Sequence, residues 1–182
     1  LPVGYPRSDA YMEGAKNVQP KDDSVVTILS NTPNPNVGER FGTYSLEEYF
    51  AAVGKAAKDV TNARLRITSR NTSSFGEEVR SRAFKGVTYK YEGTKSLPKL
   101  FAEADIFVCS HSTVVYEALL YRLPVIVASM APVEAMMSDF HFGKFKDAGA
   151  LIIVHTQEDL EAALKSLASN KEKRDALGYA GF

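Results

Sequence analysis

Four consecutive residues, Ser110-His111-Ser112-Thr113, follow an apolar run and precede a segment with helical spacing. Hydroxyl side chains at the mouth of a helix suit an anion. The first helical turn leaves backbone N–H groups free and carries the positive end of the dipole, so a phosphate or diphosphate is the fitting ligand. Glu117 stands four residues after Thr113 and shares its helix face. One turn below a phosphate, a carboxylate can accept hydrogen bonds from two ribose hydroxyls. A plainer reading makes Ser112 a helix cap and Glu117 a surface charge, and the local pattern leaves both open. Arg70, after the run Leu65–Thr68, could reach a phosphate or an acceptor, or lie on the surface as an ordinary arginine. His141 and His155 have no Cys or carboxylate partner at metal-ligand spacing, so they read as structural and no metal site is expected. Cys109 ends an apolar run with no base in view and reads as a small core residue rather than a nucleophile. Met130, Met136 and Met137 could line a crevice or fill the core.

The elements that must position these residues alternate along the chain. Short, β-branched apolar runs occur at Val25–Leu29, Leu65–Thr68, Val87–Tyr91, Ile106–Cys109, Val125–Ala128 and Leu151–Val154. Runs this short and apolar on both faces predict buried parallel strands. Between them lie helices with start signals. Ser45 and Glu48 form a capping box, followed by the stripe Leu46, Tyr49, Phe50, Val53, Ala57 and Val60. Thr156 caps a second helix with Gln157, Glu158 and Asp159 in its first turn and Leu160, Ala163, Leu164, Leu167 and Ala168 on one face. Shorter helices are expected near 75–84 and over Ser96–Ala104, Thr113–Tyr121 and Val133–Asp139. Strands alternating with helices predict an α/β fold of one domain, a doubly wound, mostly parallel six-stranded sheet of Rossmann-like type. In such a sheet of order 3-2-1-4-5-6, ligands bind beyond the carboxyl ends of strands one and four. That rule brings Ser30 and Asn31, after strand one, opposite Ser110–Thr113. The segment Asn31–Tyr44, with three Asn, two Pro and two Gly, is a long loop of the kind that is usually functional.

Composition narrows the classes. The 182 residues carry 22 basic and 22 acidic side chains and are 45% apolar, a globular balance that excludes a disordered chain. Zero net charge argues against a nucleic-acid binder. One cysteine excludes an intrachain disulfide and fits a reducing compartment. No apolar run is long enough to span a membrane and no signal peptide is visible. Residues 61–100 hold nine basic and three acidic groups. That segment is either a solvated basic face or a local field for an anionic ligand or membrane surface. No Gly-x-Gly-x-x-Gly, P-loop or Gly-x-Ser-x-Gly pattern occurs, which disfavours a dinucleotide oxidoreductase, a P-loop NTPase and an α/β-hydrolase. The chain opens on Leu1, without methionine, which suggests a piece of a longer protein.

The stretch Leu97–Leu177 resembles the C-terminal domain of GT-B-fold glycosyltransferases. The resemblance is carried by Ala104-Asp-Ile-Phe-Val108, the hydroxyl loop, Glu117-Ala-Leu119 and Pro124-Val-Ile-Val127. It is similar to the lipid-linked N-acetylglucosaminyltransferases of cell-wall synthesis, to glycerophosphate and capsule transferases, and to hydrolysing UDP-N-acetylglucosamine 2-epimerases. The resemblance implies that Ser110, Ser112 and Thr113 hold a donor diphosphate and Glu117 the ribose. Here Ser-His-Ser stands where many relatives have Ser-Gly-Gly or Ser-Gly, so the bulkier His111 could contact the phosphate directly in place of a close backbone approach. Phe142–Ala150 and the helix Glu158–Leu167 resemble the end of that domain, and Val3-Gly-Tyr-Pro-Arg-Ser-Asp9 the segment entering it. By the same match Arg7 would lie near the donor, and Tyr91 and Glu92 where relatives recognise the base. The organisation implied is a connector over 1–23 from a missing N-terminal domain and a nucleotide-sugar-binding domain over 24–182. The activity implied is transfer of a sugar from a UDP- or CDP-type nucleotide-sugar, with no cofactor, to a sugar or lipid-linked acceptor in surface polysaccharide or glycolipid synthesis. The setting implied is cytoplasmic, with peripheral membrane contact as an option. A 2-epimerase-like enzyme and a non-enzymatic Rossmann-like binding module are the alternatives.

Overall fold

The computed structural model describes residues 14–15, 24–31, 45–68, 76–93 and 96–180. Arg7, Arg70, most of the expected connector 1–23 and residues 32–44 of the long loop lie outside them. Six strands form one sheet: β1 (Val26–Asn31), β2 (Ala63–Thr68), β3 (Tyr89–Gly93), β4 (Ile106–Cys109), β5 (Val125–Ala128) and β6 (Ile152–Val154). Between and after them run α1 (Leu46–Lys58), α2 (Glu77–Ala83), α3 (Leu97–Glu103), α4 (Val114–Leu120), α5 (Pro132–Asp147), α6 (Gln157–Ser169) and α7 (Lys171–Ala180). Every strand pair is parallel, as the alternation predicted, and the order is β3-β2-β1-β4-β5-β6, the common order that the sequence reading assumed.

Strand pleating divides the core into two layers. Ile28, Ile106, Val108 and Ile126 face α1 and α6, where they meet Phe50, Val53, Leu160 and Leu164. Leu29, Phe107, Cys109, Val125 and Val127 face the other way, onto Leu100, Phe101, Val114, Val115 and Phe142 of α3, α4 and α5. Alternate residues of one strand feed opposite layers because successive side chains point to opposite faces. Hence β4 and β5 are apolar throughout. Among the described residues no helix is long and apolar enough to cross a membrane.

The larger differences from the sequence expectation lie at β3, α5 and α7. β3 begins at Tyr89 rather than Val87, because Val87 N–H closes a turn onto the Phe84 carbonyl around Gly86 at φ 73°. α5 runs on to Asp147, unbroken through Gly143, where an added Cβ would meet open space. α7 was not expected at all. The Asn170 side chain accepts from Lys173 N–H at 2.9 Å, and buried Arg174 donates to the Leu167 and Ala168 carbonyls at the end of α6.

Three basic residues of the stretch 61–100 have acidic partners within the fold. Arg66 lies buried against Glu92 (2.8 Å) and Glu103, Arg82 pairs with Glu47 and Glu78, and Lys90 reaches Glu92 at 3.2 Å.

Candidate functional site

The sheet order reverses between β1 and β4, which pair through Ile28–Ile106, Leu29–Phe107 and Ser30–Val108. The crevice beyond their carboxyl ends therefore receives the last residues of both strands. β1 ends on Ser30 and Asn31, both buried. The Ser30 hydroxyl shares a 3.2 Å hydrogen bond with Tyr49 of α1, and burial pushes the Tyr49 phenol well above its usual range. Cys109 closes β4 inside the core, where burial and the charge of Glu134 raise its thiol.

The loop after β4 carries the predicted ligand groups, and the structure separates them into two kinds. Ser110 is 2% exposed. Its hydroxyl donates to the carboxylate of Glu134, and His111 N–H donates to the same side chain at 3.1 Å. The His111 ring leans on α5, with Nε2 3.0 Å from His141 Nδ1 and its centroid 5.4 Å from that of Phe142. Partial burial and His141 depress its pKa. Ser112 and Thr113 are different. Ser112 Oγ accepts from Val114 N–H only at a long 3.4 Å, and Thr113 is exposed with no side-chain cap bond. Among the described residues, the N–H groups of Ser112 and Thr113 have no acceptor.

Glu117 lies on α4, one turn further on, and is half-buried. Its Oε2 is fully enclosed and has no hydrogen-bond partner among the described residues. An unmatched buried acceptor costs roughly 1–3 kcal/mol, so native chains rarely keep one without a reason. The constellation at the crevice is thus two free donors and, one helical turn away, one free acceptor.

Tyr91 and Glu92 sit on the edge strand β3, three places from β4, roughly 14 Å across at about 4.8 Å per strand. The Arg80 guanidinium covers one face of the Tyr91 ring at 4.2 Å, and the Glu92 carboxylate is buried against Arg66 and Lys90. The fold does not bring these two onto the Ser110–Glu117 loop. His155 bridges the Ser129 carbonyl (3.0 Å) and Asp139 (3.2 Å), tying β5 to α5. Among the described residues no group of three or more His, Cys, Asp or Glu could hold a metal ion.

Sequence reasoning missed Glu134. It is buried in the first turn of α5, and burial raises its pKa against the lowering effect of its bonds from His111 N–H and the Ser110 hydroxyl. One signal was available. A glutamate two residues after Pro132, with Ala131 rather than Ser or Thr at the cap, lacks the reciprocal partner of a capping box and is less tied to its own helix start.

Residues 84–182 match the family model described as glycosyl transferases group 1. No curated protein matches the chain. Among solved structures, the C-terminal domain of a glycosyl transferase group 1 family protein (LpcC) from Francisella tularensis superposes with a TM-score of 0.63 at 14% identity, over 92% of this chain and 93% of that one. MurG of Acinetobacter baumannii gives 0.58 at 14% identity, over 94% of this chain and 48% of that one. A UDP-GlcNAc 2-epimerase from Neisseria meningitidis, bound to UDP-GlcNAc, gives 0.63 at 12% identity, over 94% of this chain and 42% of that one. The chain spans less than half the length of the last two. At these identities the likeness is one of fold.

Proposed function

The chain belongs to the group 1 glycosyl transferases, and from that premise we propose that it is the donor-binding, C-terminal half of an enzyme that moves a sugar from a nucleotide-sugar to an acceptor. The observation that carries the reading is the enclosed, unpartnered Oε2 of Glu117, one helical turn from the free N–H groups of Ser112 and Thr113. A nucleoside diphosphate supplies the complement of this set. Its diphosphate oxygens accept from the two N–H groups and the Thr113 hydroxyl, and its ribose hydroxyls donate to Glu117. Both contacts are charge-assisted and therefore strong for their number. Asn31, across the switch point, stands beside the same crevice. Arg7 and Arg70 are further candidates for the donor's phosphates, and Tyr91 and Glu92 for its base.

The donor is a UDP- or CDP-sugar. The acceptor is a sugar or a lipid-linked sugar of surface polysaccharide or glycolipid synthesis, handled on the cytoplasmic side with peripheral membrane contact. The acceptor site and the catalytic base belong to an N-terminal domain, joined through residues 1–23, so this chain alone binds nucleotide weakly and transfers nothing. A UDP-GlcNAc 2-epimerase is the second reading, favoured by its shared fold. Calorimetric titration of the chain with UDP, CDP, CMP and GDP tests the proposal. Saturable heat with UDP or CDP supports it; no heat with any of the four, in a folded sample, sinks it. Incubating the protein joined to its N-terminal domain with UDP-GlcNAc and no acceptor separates the two enzymes, since only an epimerase releases the 2-epimer.

A further inference from the structure

The carboxylate of Glu134 leaves its own helix. It stands at the third position of α5, is 6% exposed, and bonds to the loop between β4 and α4 rather than to the start of α5. Both donors it takes, His111 N–H and the Ser110 hydroxyl, lie immediately before the two N–H groups that have no acceptor. The same helix holds the loop a second time, through His141 and Phe142 against the His111 ring. The His141 Nδ1 is also 2.9 Å from the Met137 carbonyl, which fixes that ring on α5.

We propose that Glu134 is a positioning residue of the donor site, clamping Ser110 and His111 so that the Ser112 and Thr113 N–H groups are held for the diphosphate. The inference rests on the reading of this loop as the diphosphate site. It also revises that reading: Ser110 and the His111 N–H are committed to Glu134 and are not ligand contacts. Charge-assisted bonds in a buried setting are strong enough to fix a short loop. The carboxylate also places a negative charge beside the expected diphosphate, and by Coulomb's law alone its removal would tighten anion binding. Geometry and electrostatics therefore predict opposite signs for the same substitution.

The test uses the 182-residue chain with E134A, E134Q and E134D. UDP affinity is read by calorimetry, and hydrogen exchange of the His111 amide by NMR. E134Q keeps an acceptor oxygen without the charge and should bind UDP within about threefold of the unsubstituted chain, or more tightly. E134A should weaken UDP at least about tenfold and speed His111 exchange by at least about tenfold. A side chain that only supported the fold would lower the melting temperature without changing the affinity of folded protein. Should E134A not fold, E134D carries the test. Its shorter reach should weaken UDP by about tenfold while E134Q holds. Tighter or unchanged UDP binding in E134A, or in E134D if E134A is unfolded, overturns the inference alone. Absence of UDP binding by the unsubstituted chain overturns the donor-site reading and this inference with it.

Discussion

Replacing Glu117 by alanine should make the chain more stable and a poorer nucleotide binder at once. Among the described residues the Glu117 Oε2 is enclosed without a donor, while the residue as a whole is half-buried. A fully unmatched buried acceptor costs roughly 1–3 kcal/mol. Because the rest of the side chain reaches solvent, the lower end applies, about 1 kcal/mol recovered on truncation. Alanine adds a few tenths from its helix propensity and forfeits a comparable packing contribution. Net stabilisation of about 1 kcal/mol corresponds to roughly 2–4 °C in melting temperature for a chain of this size. Urea unfolding with an unchanged m-value measures it. The same substitution removes the acceptor for the ribose hydroxyls, so UDP binding should fall by about 1–3 kcal/mol, the scale of a hydrogen bond to a charged group. Calorimetry reads that arm. If E117A is destabilised by about 1 kcal/mol or more, the enclosed oxygen has a partner and the reasoning fails. Unchanged UDP affinity removes Glu117 from the site.

Other expectations follow from the same structure. His111 has a folded-state pKa below its ordinary value of 6.5, so the unfolded chain binds the proton first. Its stability contribution is therefore complete above pH 6.5 and is lost as pH falls toward the depressed value; urea midpoints should drop between pH of about 7.5 and 5.5, and less so in H111N. In Gly178→Ala the new Cβ would stand 2.1 Å from the Arg122 carbonyl oxygen, a backbone clash. The clash outweighs the gain in helix propensity and should lower stability by about 1–3 kcal/mol by urea titration, whereas an unchanged midpoint would mean that α7 does not pack there. Glu92→Ala strips the buried Arg66 of one partner and leaves it Glu103, which lies at the surface. It should cost about 3 kcal/mol, and R66M/E92L should recover most of that; equal loss in the double variant would exclude the ion pair as the cause.

Much of this architecture was legible in the chain. The runs Ile106–Cys109 and Val125–Ala128 are short and apolar on every residue, a pattern that suits a strand covered on both faces, and their alternation with helices pointed to a parallel sheet, whose observed order is the common one the reading assumed. The capping box of Ser45 and Glu48 formed as its spacing predicted, with bonds of 2.8 and 3.1 Å. Features that depend on a distant partner were not legible. α7 rests on Arg174 reaching back to carbonyls of α6 and on Gly178 meeting Arg122 across the turn after α4. The basic bias of 61–100 left a solvated face and a field for anions both open, and the acidic partners of Arg66, Arg82 and Lys90 within it are ones whose nearness only folding creates.

The loop after β4 divides the two sources of information most clearly. Ser110, His111, Ser112, Thr113 and Glu117 stand out from residue type and spacing alone, because the free N–H groups of a helix start and the face shared by residues four apart are local geometry. Which of them remain available to a ligand is not local. Glu134 is 23 residues from His111 in the chain, and it reaches Ser110 and His111 because parallel β4 and β5 lie side by side and set the start of α5 beside the loop. Sequence determined the strands, their parallel alternation with helices and the polar residues that follow them. Tertiary packing decided that Ser110 turns inward, that His111 leans on α5, and that Ser112 N–H, Thr113 N–H and Glu117 Oε2 have no partner among the described residues, since burial and long-range pairing are properties of the folded chain.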